Sequence, residues 1–350
     1  MNNNEGLYNG PSLSREMLVG NLIHERMCFM SIKRSKKVPV STKSFGARVY
    51  THRWFYVMFL PVLVFVALFN YLPMYFIKYS FYDYKMTDIA TEKAGTWVGL
   101  KHFEKLFQKD EFITAFINTF ELSIVKLLLN TFMAVIISLL LNEIKNLKAK
   151  KAVQTLIYLP HFMSWVVTAS VFRLILSPSN EGLVNSLLIN IGVINSNEMI
   201  YFMAEEKWWR PVYYIINIWK DTGWGTIIYL ATLSGISPDL YEAAQIDGAN
   251  RWNQMRFITL PSLANTIIVV LILNLAKIMN LFESVFVLYN SAVYTVADVC
   301  QTYTYRQTFG GGIANYGYTT AVGLLRSLVG CVLVLICNYA SKKVRGRGIV

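Results

Sequence analysis

The chain has 350 residues, 54% hydrophobic and 15% charged, with a formal net charge of +12. A typical soluble domain carries about 25% charged residues, so the composition excludes an ordinary soluble fold and points to a polytopic membrane protein. Such a positive charge on a soluble protein would suggest nucleic acid; here most basic residues lie between hydrophobic segments, topology accounts for them, and no nucleic-acid partner is expected.

Residues 1–53 are polar and rich in Asn, Ser and Lys, with a short apolar patch from Leu18 to Met30. They read as a cytoplasmic N-terminal extension, largely disordered or interfacial. The first long hydrophobic run starts too late for a cleaved signal peptide. A transmembrane domain is expected over 54–343 and a basic cytoplasmic tail over 344–350. A bilayer needs about 20 mostly apolar residues per helix, and six segments qualify, near 54–78, 117–141, 152–176, 211–235, 263–288 and 318–340. The first opens Trp54-Phe55-Tyr56, an interfacial anchor, and Trp208-Trp209 before the fourth reads the same way. The third carries Pro160, which predicts a kink. The 79–116 connection, with Trp97-Val98-Gly99-Leu100 and Phe103, has room for a small ordered segment but no separate domain.

Lys and Arg in the connections fix the orientation. Nineteen lie in residues 1–53, the 143–151 loop, the 236–261 loop and the tail, against eight in the other three connections. The positive-inside rule therefore places both termini and the 236–261 loop in the cytoplasm. The expected fold is an all-α integral membrane protein with six transmembrane helices and cytoplasmic N and C termini.

Within that loop, Ser237 is a good N-cap, Pro238 fits the first helical turn, and Asp239 suits the positive end of the helix dipole. A short helix should run from Pro238 to about Asp247, and Gly248 can take positive φ and end it. A second short helix should lead through Ile258 and Leu260 to Pro261, where the next span begins. Ala243 and Ala244 keep the first helix thin enough for a groove on another protein. Leu240, Tyr241 and Ala244 would then be apolar contacts, and Glu242 a charge for a basic partner. An ordinary helix-turn-helix on the membrane surface is the plainer reading of the same residues.

Intramembrane polar residues are costly and usually face a cavity or a partner. Tyr213, Tyr214, Asn217, Lys220, Asp221 and Trp224 fall in the fourth span, with 213, 217, 220/221 and 224 on one face. The fifth span has Asn274, Lys277, Asn280 and Ser284 on one face, with Glu283 beside it. Lys220 lies roughly 15 Å from the outer end of its span, and Lys277 at similar depth. Two polar faces with aromatics alongside suit a sugar: rings stack on pyranose C–H faces, while amides and charges bond hydroxyls. The other reading is that these groups join helices to one another. Lys126, Arg173 and Arg326 look isolated and read as ion-paired or snorkelling residues.

Cys28, Cys300, Cys331 and Cys337 have no paired spacing and read as buried inert thiols. The histidines His24, His52, His102 and His161 form no metal-spaced cluster. No nucleophilic triad is recognisable, and no G-x-x-x-x-G-K-[ST] loop is present. The chain is therefore not expected to be an enzyme or to bind ATP itself.

The string Glu242-Ala243-Ala244, three residues, Gly248, nine residues, Ile258-Thr259-Leu260-Pro261 resembles the coupling loop of bacterial ABC importer permeases. Glu206-Lys207-Trp208-Trp209-Arg210-Pro211, Asn217-Ile218-Trp219-Lys220, Gly223-Trp224-Gly225-Thr226, Leu288-Tyr289-Asn290, Tyr294 to Val299 and Thr320 to Leu324 extend the resemblance. It covers roughly 54–343. It is to the carbohydrate branch of the binding-protein-dependent transport inner-membrane components, which includes alginate- and aldouronate-type oligosaccharide importers. The resemblance implies a type I ABC importer permease fold and a second homologous permease forming a heterodimer. It also implies two ATPase subunits that hold Mg-ATP, an extracytoplasmic solute-binding lipoprotein and an oligosaccharide cargo. Glu242 through Gly248 would dock in the ATPase cleft. The cargo stays open at this point: phosphate, a polyamine, an amino acid or a peptide would use the same machine. An ion-coupled secondary transporter would need paired repeats with broken helices, and a membrane sensor would need an attached signalling domain; neither is visible.

Overall fold

The computed structural model describes residues 45–345, apart from 92–94, 180–181, 276 and 312. The expectations for residues 1–44, including the Leu18–Met30 patch, and for 346–350 lie outside the described residues. The chain divides after Leu72 into two compact units. The first is helical: Phe45–Thr51, then the start of α1 (Arg53–Phe81). None of the side chains in Arg53–Val66 is buried. A helix with Phe, Val and Leu exposed on every side requires an apolar solvent.

The second unit, from Pro73, is also almost wholly helical. Its strands are β1 (Tyr82–Asp83) and β2 (Thr96–Trp97), antiparallel, with Tyr82 opposite Trp97. With the helix Lys101–Phe107 they make the 79–116 connection an ordered segment. The main helices are α2 (Asp110–Glu143), α3 (Leu147–Tyr158), α4 (Trp165–Ile175), α5 (Glu206–Ser234) and α6 (Pro238–Ile246). They continue with α7 (Arg251–Leu275), α8 (Phe282–Leu288), α9 (Cys300–Phe309) and α10 (Tyr316–Arg345).

Among the described residues four helices are long and apolar enough to cross a membrane, α1, α2, α7 and α10, and a fifth crossing results if α3 and α4 form one broken span. The 29-residue α5 falls short on composition because it carries Lys220, Asp221 and Asn217 among many aromatics. Its polar face is turned inward: Asn217, Lys220, Thr222 and Thr226 are buried. Past its first turn, its exposed large side chains, Ile215, Trp219, Trp224, Ile227 and Ile228, are apolar or aromatic, so Asn217 and Lys220 need not meet lipid.

Two predicted spans are broken. In the third, Pro160 does more than kink the helix. α3 ends at Tyr158, a 3₁₀ turn follows over Leu159–Phe162, and α4 departs at 102°. Proline removes an N–H and clashes with the preceding turn, and Ser164 then caps α4 through Val167 N–H. The fifth span does not run through to Leu288. α7 stops at Leu275, turns occupy 277–279, and α8 starts at Phe282. The Gln301 side-chain carbonyl accepts from the N–H groups of Leu281 and Phe282 at 2.7 and 2.8 Å, which satisfies the new helix start.

Nor is there a separate second helix in the 236–261 loop. Arg251–Leu275 is continuous, and Pro261 lies inside it, preceded by a π turn over Met255–Thr259. In α1, Pro73 follows a π turn over Ala67–Tyr71 in the same register. A wider turn absorbs the hydrogen bond that proline cannot make.

Packing is layered along α2 and α5. One layer joins Leu122, Trp209, Tyr213, Ile216, Val285 and Leu288. Another joins Ala134, Leu141, Tyr229, Leu233 and Leu263. A third, around Leu106, Phe112, Cys300 and Tyr303, fixes α9 and α10. Trp209 is therefore core rather than interfacial belt: it is fully buried, stacks on Tyr213 and donates to the Leu288 carbonyl at 3.2 Å. Cys300 is buried, which pushes its thiol up to about 11, whereas Cys331 is exposed, against expectation.

Candidate functional site

The loop between α5 and α7 is built as its residues dictate. Ser237 Oγ accepts from Asp239 N–H, and Pro238 opens α6. At the other end Gly248 has φ +77°, Ala249 N–H reaches Ala244 O at 2.8 Å, and Gly248 N–H reaches Gln245 O at 3.0 Å. These two bonds form a Schellman closure, which places its left-handed residue at glycine. No residue of α6 is buried, and Leu240, Glu242, Ala243, Asp247 and Gly248 are exposed. Ile246 is 86% exposed, a cost that an apolar surface on another molecule would remove. Two contacts tie the loop to long helices. Tyr241 Oη lies 3.0 Å from Thr259 Oγ1 on α7, and Arg251 donates to Glu143 at the end of α2 at 2.8 Å. Ile258 and Leu260 are half-buried on α7, and Pro261 is exposed.

Deeper in the fold, Gly223-Trp224-Gly225 sets how closely α5 meets its neighbours. A Cβ at Gly223 would lie 2.4 Å from Ile157 O, and one at Gly225 would lie 3.0 Å from Ala134 Cβ. The two glycines let α5 press on the end of α3 and on α2, while Trp224 between them stacks on His161. Lys220 then reaches the broken third span. Its Nζ donates to the carbonyls of Met163 at 2.6 Å and His161 at 3.1 Å. Backbone carbonyls freed by a helix break need donors where water is excluded, and a buried lysine needs acceptors.

Between the two packed layers lies a cavity of about 570 Å³. Ser123, Lys126, Asn130 and Thr131 of α2 form one wall, Asp221 and Trp224 of α5 another, and Asn274, Lys277 and Asn280 of the broken fifth span a third. Lys126 Nζ stands 3.5 Å from Asp221 Oδ2, and His161 Nδ1 stands 3.5 Å from Asp221 Oδ1. The His161 ring stacks on Trp224 with centroids 5.1 Å apart. Arg326 of α10 donates to Asn280 Oδ1 at 2.9 Å. Charges, amides and an aromatic face together can hold a polyhydroxylated ligand.

Of the predicted pathway residues, Asp221, Trp224, Asn274, Lys277 and Asn280 meet in this cavity. Glu283 lines a smaller adjoining one of about 310 Å³, with Lys126 and Gln301. Tyr213, Tyr214, Asn217 and Lys220 are not among the cavity-lining residues. Tyr213 Oη meets Ser284 Oγ at 3.0 Å, Asn217 donates back to Tyr213 O, and Tyr214 packs against the layer of Leu122 and Trp209. Lys126, isolated in its own segment, is paired across helices and faces the cavity. Ser123, Lys126 and Asn130 fall at i, i+3 and i+7, so the sequence itself carries a signal of their common face. His161 gives no such signal while its segment reads as one helix. Arg173 donates to Val287 O at 2.6 Å, a joint between α4 and α8.

Towards the start of α5, Arg210 donates to Glu121 at 2.5 Å, to Asn118 Oδ1 at 2.8 Å and to Val296 O at 3.2 Å. Asn118 in turn donates to the carbonyls of Thr295 and Asp298. Burial raises the Asp298 carboxyl above its usual range, opposed by the Thr302 hydroxyl and Arg306 guanidinium. Among the described residues no group of three or more His, Cys, Asp or Glu could hold a metal ion.

The family described as "Binding-protein-dependent transport system inner membrane component" matches residues 55–346. The polygalacturonan/rhamnogalacturonan transport system permease YteP of Bacillus subtilis is 40% identical over 303 residues, 86% of this chain and 92% of YteP. LplB of the same organism is 36% identical, covering 91% of this chain and 99% of LplB. Among solved structures, a bacterial ABC transporter involved in import of the acidic polysaccharide alginate superposes with a TM-score of 0.76 at 38% identity. The match covers 85% of this chain and 98% of the matched chain. A second structure, of the bacterial alginate transporter with its pentasaccharide-bound periplasmic protein, gives 0.77 at 37% identity, covering 88% and 100%.

Proposed function

The chain belongs to the binding-protein-dependent transport system inner membrane component family, and from that premise we propose that it forms half of the path by which an ATP-driven importer carries an oligosaccharide. It is a multi-pass permease of the inner membrane and not an enzyme; ATP is hydrolysed by a separate ATPase subunit, which binds Mg-ATP. In the proposed assembly a second, homologous permease completes the path, two ATPase subunits sit on the cytoplasmic side, and a solute-binding lipoprotein delivers cargo outside. In this reading the six spans are α1, α2, the α3–α4 pair, α5, α7 with α8 beyond its break, and α10. The excess of Lys and Arg on one set of connections puts both termini and α6 in the cytoplasm.

The observation that carries the coupling role is α6. It is a capped, glycine-closed helix whose apolar and acidic side chains are left exposed by its own chain. Its ties to Thr259 and Glu143 lead to α7 and α2, two walls of the cavity. When ATP draws the ATPase pair together, a push on α6 moves those walls and changes which side the cavity faces. Residues 1–53 are a cytoplasmic extension in this reading, and 344–350 a basic tail.

Sugar is favoured by the cavity, where Trp224 offers a stacking face beside Asn274, Asn280 and Asn130. YteP and the alginate transporter carry sugar polymers by name. The test is uptake of a tritiated trigalacturonate by proteoliposomes holding the complete importer. ATP-dependent accumulation is expected. Failure with sugars, together with uptake of phosphate, a polyamine, an amino acid or a peptide, would move the cargo to another class.

A further inference from the structure

We propose that Lys126 is the anion-recognising residue of the cavity and that Asp221 is a stand-in carboxylate, which a uronate group of the cargo displaces. This rests on the oligosaccharide reading above and names the residues that would distinguish acidic from neutral sugars.

Two lysines near the broken third span contrast sharply. Lys220 is buried and committed, with its Nζ on two backbone carbonyls at 2.6 and 3.1 Å. Lys126 lies at the junction of the two cavities and lines both. Its ion-pair partner is Asp221 at 3.5 Å, and both side chains keep about a quarter of their surface open, 21% and 26%. A tight charge-assisted N–H···O bond is about 2.7–2.9 Å long. The pair is therefore close enough to neutralise and too loose to saturate an ammonium group with three donors.

Asp221 has somewhere to go. His161 Nδ1 already stands 3.5 Å from its other oxygen. A cargo carboxylate can take the place of Asp221 at Lys126 while Asp221 stays beside His161. Lys126 then has a carboxylate throughout the exchange, so the ammonium is never left unpaired, and Asp221 keeps the His161 ring beside it. A neutral sugar brings no charge to exchange, so it must bind past a closed pair. Lys277, exposed on the opposite wall, adds positive potential; the acids in reach are Asp221 and, in the smaller cavity, Glu283. Trp224, stacked with His161, offers a ring on which a sugar can rest beside the exchange point.

The test uses the complete importer in proteoliposomes with tritiated trigalacturonate and its carboxyl-reduced counterpart. In Lys126→Gln the ratio of acidic to reduced uptake should fall about tenfold or more, the worth of a hydrogen bond to a charged group. The double variant Lys126→Gln/Asp221→Asn removes both charges, so helix packing has no unpaired group to tolerate. It should assemble normally and still lack acidic uptake. Restored acidic uptake in the double variant would show that the pair only joins α2 to α5 and would overturn the proposal. So would an equal loss of both sugars in Lys126→Gln. If wild-type importer moves neither sugar, the oligosaccharide reading itself fails, which is a different result from wild-type uptake with an unchanged ratio in the variant.

Discussion

Gly223→Ala tests the close approach that organises the cavity. In an exposed helix this change stabilises by about 1 kcal/mol, because alanine loses less backbone entropy. Here the new methyl would lie 2.4 Å from Ile157 O and 3.1 Å from Tyr158 Cα, both backbone atoms that cannot rotate away. An ordinary contact is near 3.4 Å, so α5 and the end of α3 must part by about 1 Å, and overpacking of this kind costs about 1–3 kcal/mol. Gly330→Ala on α10 is the control, since nothing lies within 4 Å of the place its methyl would occupy. It should be neutral or mildly stabilising. The assay is the heat-inactivation midpoint of the purified transporter, with uptake measured alongside. Gly223→Ala should lower the midpoint and reduce uptake, because Lys220 and Trp224 move with α5. Equal or greater stability than Gly330→Ala would refute the packing argument.

Lys220→Met should release the His161 and Met163 carbonyls and cost about 3 kcal/mol or more, as two charge-assisted bonds are lost; membrane abundance after heat challenge should fall, with partial recovery in Lys220→Arg. Trp224→Ala and Asn274→Ala should each cut sugar uptake while ATPase co-purification persists, and unchanged transport in both would return these residues to helix packing. Arg210→Lys should destabilise the joint between the start of α5 and α2 by about 1–3 kcal/mol, since an ammonium cannot serve Glu121, Asn118 and Val296 O from one planar fork; a midpoint equal to wild type would count against it.

The sequence exposes those features whose cause is local. Ser237, Pro238 and Gly248 define α6 to within a residue because caps and a left-handed glycine act on their own neighbours. Charge placement and hydropathy mark the long helices for the same reason. The breaks are less legible. Pro160 signals a disturbance, but a 102° bend requires Lys220, some sixty positions away, to receive the freed carbonyls. The fifth break depends on Gln301, which looks unremarkable in its own segment. Helical periodicity puts Tyr213, Asn217 and Asp221 on one face, yet only contact with α2, α4 and α8 decides which of them reach the cavity. For Lys126 the spacing with Ser123 and Asn130 shows a shared face, but its pairing with Asp221 lies on another helix and leaves no local trace.

Coupling is the central claim, and Gly248→Asp measures it most directly. Gly248 has φ +77° and no heavy atom within 4 Å of a Cβ, so the variant meets no clash within its own chain and about 1–2 kcal/mol of left-handed strain. On the proposed coupling role, a large effect arises at the surface that α6 offers to the ATPase rather than within this chain. With the complete importer in proteoliposomes, the variant should remain in the membrane, bind loaded solute-binding protein, and lose sugar uptake relative to ATP hydrolysed. Uptake per ATP equal to wild type would contradict the coupling role of α6.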